Sequence, residues 1–149
     1  MELNALIPMI NILMIEDNPG DTRLAMEAFK AAKLVNDVYW VEDGNAAMAF
    51  LRKEGRYTQA SRPDLILLDL YLPGRNANLI LADIKNNPEY KSIPVVLLMS
   101  TEIEEHLIID YEFQPDRTMV KPLDLEQFIS VILSIEDFGL MFVKGFKPH

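Results

Sequence analysis

The sequence predicts an α/β protein with a doubly wound parallel sheet, because short apolar runs alternate with longer helical patterns five times along the chain. The apolar runs are continuous, which is typical of parallel strands buried on both faces. Charged residues directly follow three of them, at Glu16-Asp17, Asp69 and Lys121. The carboxyl ends of parallel strands share one edge of the sheet, where ligands bind in open α/β folds. These residues are therefore predicted to share a pocket.

The first two strands are predicted at residues 10–15 and 38–41. Asn18-Pro19 follows the first strand and predicts a helix start, since Asn is a favoured N-cap and proline is favoured in the first turn. Aromatic and β-branched residues mark the second strand. Asp43-Gly44 then turns the chain into a second helix, which carries small and apolar residues at helical spacing.

The third strand is predicted to end at Asp69, and the helix after it stops near Asn87-Pro88 because the residue before a proline disfavours helix. The loop between them contains Leu72-Pro73-Gly74. Pro94 precedes a fourth strand that ends at Met99.

Two more helices are predicted from their starts. Thr101 and Glu104 have capping-box spacing for a fourth helix. The fifth strand ends at Lys121, and Asp124 with Gln127 predicts the cap of a last helix with an apolar stripe.

Composition excludes several functional classes. The 149 residues fit one domain, and half of them are hydrophobic, which argues against disorder. A net charge of −9 gives no basic face for nucleic acid, so no nucleic-acid partner is expected. The absence of cysteine excludes disulfides, zinc–thiolate sites and cysteine nucleophiles. No apolar run reaches the roughly 18 residues of a membrane span, so we expect a cytoplasmic protein without membrane contact.

The charged residues at the strand ends fit a divalent cation beside a reactive carboxylate. Mg²⁺ prefers oxygen ligands and binds with one or two carboxylates and a phosphate. Asp69 is the candidate nucleophile, and Lys121 would neutralise phosphoryl oxygens. Taken singly, an Asp after a strand is ordinarily a cap and Lys-Pro an ordinary turn. Their joint placement after the first, third and fifth strands favours a site.

Glu16-Asp17, Asp69 and Lys121-Pro122 together resemble the receiver domain of two-component response regulators, over about residues 10–135. The resemblance implies a flavodoxin-like fold with five strands in the order 2-1-3-4-5 and five helices, in a domain at 8–136. It implies that Asp69 accepts a phosphoryl group from a phosphohistidine of a sensor histidine kinase and that Lys121 contacts that group. Mg²⁺, with Mn²⁺ as an alternative, would be held by Asp17, Asp69 and the backbone carbonyl of Tyr71, and by Glu16 mostly through water.

Several segments also resemble the stand-alone receivers that are paired with phytochrome-type kinases. They include residues 84–89, 92–96, 125–128 and 134–138. Members of that group are often single-domain and dimeric. The resemblance therefore implies a homodimer through the face formed by the fourth helix, fifth strand and fifth helix, and a tail at 137–149 that is packed or lies at the dimer interface.

The chain departs from the receiver pattern at the positions that relay phosphorylation. The position of the usual small hydroxyl residue is Met99, and Ser100 is the candidate substitute switch hydroxyl. Thr101 has a competing role as helix cap. The second relay position, usually aromatic, is Thr118.

The expected function is a single-domain response regulator that accepts phosphate without being an enzyme and signals through contacts with a downstream protein. Two alternatives stay open. One is an interaction module that does not depend on phosphorylation, which Met99 and Thr118 favour. The other, a phosphatase similar to the haloacid dehalogenase family, needs a second acid where this chain has Tyr71.

Overall fold

A computed structural model describes residues 9–33, 35–72 and 76–135, without the side chain of Asn36. Five parallel strands form one sheet in the order β2-β1-β3-β4-β5, as predicted. The strands are β1 (Ile10–Ile15), β2 (Val35–Val41), β3 (Leu65–Asp69), β4 (Val95–Met99) and β5 (Arg117–Val120). The predicted second strand begins three residues earlier in the structure, at Val35.

The described residues contain four α-helices, three between strands and one after β5, each with a side-chain N-cap. They are α1 (Pro19–Ala32), α2 (Gly44–Arg52), α3 (Ala77–Lys85) and α4 (Leu125–Ser134). The capping side chains, which accept a bond from the backbone N–H three residues on, are Asn18, Asp43, Asn76 and Asp124. Each satisfies an N–H that the helix itself leaves free, which explains why the helices begin where they do.

The position of the predicted fourth helix is taken by the 3-10 helix Glu102–Ile108, and a shorter 3-10 turn, Gly55–Tyr57, lies between α2 and β3. The predicted capping box is wrong here, because Thr101 makes no side-chain cap bond and Glu104 Oε2 instead accepts the backbone N–H of Ser100 at 3.3 Å. Three acidic residues stand in the first turn of this segment. The N-terminal end of the segment is therefore held by a carboxylate rather than by a hydroxyl.

Gln127 also differs from its predicted role as a cap. Its side chain binds the backbone of Val120 twice, accepting from the N–H at 2.8 Å and donating to the carbonyl at 2.9 Å. These bonds join α4 to the end of β5, the residue before Lys121.

Helices cover both faces of the sheet, as a doubly wound fold requires. Residues from α2 and α3 pack with one face in a core that contains Leu13, Ile66 and Leu97. Residues from α1 and α4 pack with the other in a core that contains Met14, Leu67 and Leu98. Consecutive strand residues thus enter opposite cores, and the middle strands are buried along their length.

Among the described residues, no helix combines the length and the apolar character that a membrane crossing demands. The predicted tail at 137–149, the N-terminal residue 8 and the Pro73-Gly74 part of the predicted loop lie outside the described residues.

Candidate functional site

Three carboxylates meet at the carboxyl ends of β1 and β3, which are neighbours in the sheet. Glu16 and Asp17 follow β1, and Asp69 is the last residue of β3. Each can offer one oxygen such that all three oxygens lie within 4.8 Å of one another. Glu16 and Asp69 are buried and Asp17 is exposed. The predicted convergence of these acids is thus present in the structure.

Lys121 completes the cluster from the end of β5. Its backbone N–H donates to the carbonyl of Met99 at 2.7 Å, which fixes the base of the side chain beside β4. Its Nζ lies 3.4 Å from Asp69 Oδ1 and 3.3 Å from Glu16 Oε2. The peptide bond between Lys121 and Pro122 is cis.

The shortest contact of Lys121 is with a residue that the sequence analysis missed. Asp21 Oδ2 accepts from Lys121 Nζ at 2.9 Å, from the first turn of α1. An acid in the first turn of a helix has an ordinary explanation, because it interacts favourably with the helix dipole. Asp17, four positions earlier, precedes the N-cap Asn18 and so lies outside α1. No spacing in the sequence therefore indicated that Asp21 reaches Lys121.

Backbone and ring donors hold the two buried acids. The N–H of Asn18 donates to Glu16 Oε1 at 3.1 Å, and the N–H of Tyr71 donates to Asp69 Oδ1 at 3.3 Å. The indole Nε1 of Trp40, which lies on β2, donates to the backbone carbonyl of Glu16. Trp40 therefore touches the site through a hydrogen bond, whereas its sequence context indicated strand packing.

Burial and the excess of negative charge in the pocket shift two pKa values. Burial raises the pKa of Glu16 to about 7, with a further contribution from the hydrogen bond and charge of Asp69. Burial also acts to lower the pKa of Lys121, but the hydrogen bond with Asp21 and the charges of Asp69 and Glu16 outweigh it and raise the pKa above its ordinary value. Lys121 is thus a permanent cation at the centre of the acids.

The donor set fits a hard divalent cation. Carboxylate oxygens are the ligands that Mg²⁺ and Mn²⁺ prefer, and Asp17 adds an exposed carboxylate through which a hydrated ion could enter. Burial first, and the neighbouring Asp69 second, raise the pKa of Glu16, and a bound cation would supply the positive charge that its ionised form needs. Tyr71 lies two residues after Asp69 in the sequence and is 55% exposed.

None of the described contacts of Met99, Ser100 and Thr118, at or beside the relay positions, places a side-chain hydroxyl against Asp69. Met99 is buried as the last residue of β4, in register with Val120. Ser100 follows it with an exposed side chain and with its backbone N–H bonded to Glu104. The hydroxyl of Thr118 lies 3.4 Å from Glu105 Oε1 on the 3-10 helix, at the long limit of a hydrogen bond.

Comparisons with known proteins agree with this fold. Response regulator Rcp1 of Synechocystis sp. (strain ATCC 27184 / PCC 6803 / Kazusa) is 40% identical over 129 residues, which covers 87% of this chain and 88% of Rcp1. The structure of the phosphorylated cyanobacterial phytochrome response regulator RcpA is 41% identical with a TM-score of 0.71, covering 89% of this chain and 94% of that one.

A manganese-bound form of Rcp1 is also similar. The Rcp1 chain in that structure is 39% identical to this chain, with a TM-score of 0.69, and the match covers 88% of this chain and 94% of the Rcp1 chain. The family model described as the response regulator receiver domain matches residues 12–133. This chain therefore belongs to the response regulator receiver domain family.

Proposed function

We propose that this chain is a single-domain response regulator that accepts a phosphoryl group on Asp69 from a phosphohistidine of a sensor histidine kinase. One observation carries the proposal: the buried carboxylate of Asp69 lies 3.4 Å from the ammonium of Lys121 and beside two further acids. Transfer of a phosphoryl group to an aspartate requires a nucleophilic carboxylate, a fixed cation and a metal site, and this pocket offers a candidate for each.

The chemical step needs little from the protein beyond position and charge. A carboxylate oxygen of Asp69 forms a bond to phosphorus while the P–N bond of the donor breaks. The electron pair of that bond leaves with the imidazole nitrogen, which takes a proton from solvent. Lys121 stays protonated throughout, since its pKa is raised, and its charge offsets the charge of the phosphoryl oxygens.

Glu16, Asp17, Asp69 and the backbone carbonyl of Tyr71 are the proposed holders of Mg²⁺ or Mn²⁺. A bound ion would supply positive charge to the phosphoryl oxygens. The carboxylate cluster and the manganese-bound form of the relative Rcp1 support this assignment. Asp17 is the outermost of these acids and would mediate exchange of the ion with solvent.

The kinase partner is proposed to be of the phytochrome type, and the setting cytoplasmic. The similarity to RcpA, a phytochrome response regulator, supports the first part and extends over 94% of the RcpA chain. Output would come from contacts with a downstream protein. Turnover as a phosphatase is not proposed, because the second-acid position after Asp69 is Tyr71, which has no carboxylic acid.

A homodimer is proposed through the 3-10 helix, β5 and α4, together with the tail at 137–149. We define the apolar face as the exposed hydrophobic side chains of the 3-10 helix, of the residue directly after it and of α4: Ile103, Leu107, Ile109, Leu125 and Leu133. Ile103 and Ile109 are 76% and 71% exposed, and a group of exposed apolar side chains is typical of a protein–protein interaction site. The last helix leads directly into the tail.

Phosphorylation is tested with acetyl phosphate and Mg²⁺, followed by mass spectrometry of the intact chain. We expect one phosphoryl group, released by hydroxylamine as an acyl phosphate is, and its loss in Asp69→Asn. Asp110→Asn, which removes an exposed acid from the turn after the 3-10 helix, should label like the unmodified chain. An unchanged mass, or labelling that survives Asp69→Asn, contradicts the proposal.

A second candidate is a receiver fold that binds its partner without phosphorylation. The buried Met99 and the exposed Ser100 favour it, because neither places a hydroxyl against Asp69 among the described contacts. It differs in one measurable way. Asp69→Asn would leave partner affinity unchanged in the presence of kinase and ATP, whereas a phosphorylation switch would change it.

A further inference from the structure

Asp21 takes the closest position to the Lys121 ammonium, although it is not part of the metal cluster. The three contacts of Nζ are 2.9 Å to Asp21, 3.3 Å to Glu16 and 3.4 Å to Asp69. An ammonium has three donors, so each carboxylate takes one. The Lys121 ammonium is therefore closer to Asp21 than to Asp69, the proposed acceptor of the phosphoryl group.

The position of Asp21 is fixed by the start of α1. Its backbone N–H donates to the Asn18 side chain at 3.0 Å, and Thr22 beside it is buried. The Asp21 side chain is 29% exposed, against 15% for Lys121, so the pair lies at the rim of the pocket. Ion pairs in such partly buried positions are screened less by salt than exposed pairs are.

Phosphoryl transfer would change what surrounds Lys121. The group added to Asp69 brings more negative charge and three oxygen acceptors. Lysine can turn towards it because its ammonium sits on a flexible four-carbon stem, while its backbone stays bonded to Met99. Any donor that turns to the phosphoryl group is withdrawn from a carboxylate, and the pair with Asp21 is the shortest of the three that hold the ammonium back.

We propose that Asp21 is a positioning residue that competes with the phosphoryl group for Lys121, and so limits how tightly the pocket holds that group. This inference rests on the proposed function of Asp69. It assigns to the chain a restraint on phosphorylation, located on α1 rather than among the metal ligands. The negative charge of Asp21 acts in the same direction, since it opposes the approach of an anion.

The test compares the affinity for beryllofluoride, a phosphoryl mimic, in the unmodified chain and in Asp21→Asn, by calorimetry at saturating Mg²⁺. We expect the affinity to rise about threefold to tenfold in Asp21→Asn, from release of one partly exposed charge pair. Asp21→Glu, which keeps the charge, should return the affinity towards that of the unmodified chain. Glu27→Gln removes an exposed acid from the same helix and should have no effect.

A second measurement separates competition from structural damage. Mg²⁺ affinity is measured on the same variants without beryllofluoride. Damage to the pocket would weaken the binding of both ligands, whereas release of Lys121 raises the affinity for beryllofluoride alone. The Asn18 cap remains in Asp21→Asn, because it binds the backbone N–H of residue 21.

Equal or lower beryllofluoride affinity in Asp21→Asn overturns the role of Asp21 and leaves the proposed function standing. Absence of beryllofluoride binding to the unmodified chain overturns the proposed function, and this inference with it. A gain in Asp21→Asn that Asp21→Glu fails to reverse also counts against the inference, because the restraint is argued from charge.

Discussion

One carboxylate oxygen of Asp116 accepts hydrogen bonds from both the Lys85 ammonium and the first backbone N–H of β4. Lys85 Nζ lies 2.9 Å from Asp116 Oδ2, and the N–H of Val95 lies 2.7 Å from it. Lys85 also donates to the carbonyl of Ile93 at 3.2 Å. This ion pair joins the end of α3 to the starts of β4 and β5, at the sheet edge opposite the acids.

Removing Asp116 is expected to destabilise the fold without affecting the acidic site. Asp116→Ala leaves the N–H of Val95 and the Lys85 ammonium without their common acceptor, which costs about 1–3 kcal/mol. Urea unfolding gives the change in free energy, and Mg²⁺ affinity should not change. Combining Asp116→Ala with Lys85→Met in a double-mutant cycle measures the pair itself. A cycle with no coupling energy would show that the pair contributes nothing.

Trp40 should report metal binding through its fluorescence. It is the only tryptophan of the chain, and its indole donates to the carbonyl of Glu16. We expect Mg²⁺ to change its emission, EDTA to reverse the change, and Asp17→Asn to weaken the apparent affinity about tenfold or more, since a direct ligand is lost. Glu42→Gln removes an exposed acid after β2 and is the matched control. Equal affinity of Asp17→Asn and the control would contradict the assignment.

The metal-free protein should lose stability as the pH rises towards neutrality. The pKa of Glu16 is raised from 4.5 to about 7 by burial first and by Asp69 second. The folded state then binds more protons than the unfolded state between those values, so the stabilisation is complete below about 4.5 and is lost as the pH passes 7.

Glu16→Gln should remove this pH dependence. Relative to that variant, the unmodified chain should lose about 1–3 kcal/mol of unfolding free energy between pH 5 and pH 8 in EDTA. Urea titrations at four pH values measure the difference. Parallel curves for the two proteins would show that Glu16 has an ordinary pKa in the folded state.

The apolar face should control self-association. Replacing Ile109, 71% exposed, with glutamate places charge in the proposed interface and should shift the chain to monomer in sedimentation with beryllofluoride. Leu79→Glu adds the same charge at a side chain 49% exposed on α3 and should leave association unchanged. If Ile109→Glu still sediments as the unmodified chain does, the interface lies elsewhere.

The sequence was sufficient for the sheet and for the convergence of acids, because both depend on local patterns. Asn18 and Asp124 are capping residues in the usual context, and Asp69 ends a buried apolar run. Strand order came from the receiver resemblance and is confirmed by the register of the five strands.

The roles that the sequence could not predict belong to side chains whose partners are distant along the chain. Asp21 and Lys121 are 100 positions apart, and only the fold shows that they meet. Gln127 has capping-box spacing, yet the end of β5 offers it two backbone partners. The role of Asp116 became clear only when the fold placed Lys85, 31 positions earlier, beside it.

The crowding of acids around Lys121 has a consequence by mass action. Glu16, Asp21 and Asp69 share one ammonium, and Asp17 adds another negative charge nearby, so the folded chain gains from any cation that the unfolded chain does not bind. At a hundredfold excess over its dissociation constant, such a ligand adds about 2.7 kcal/mol to the free energy of unfolding. We therefore expect the melting temperature to rise with the concentration of free divalent cation, and values taken in chelator to describe a less stable molecule.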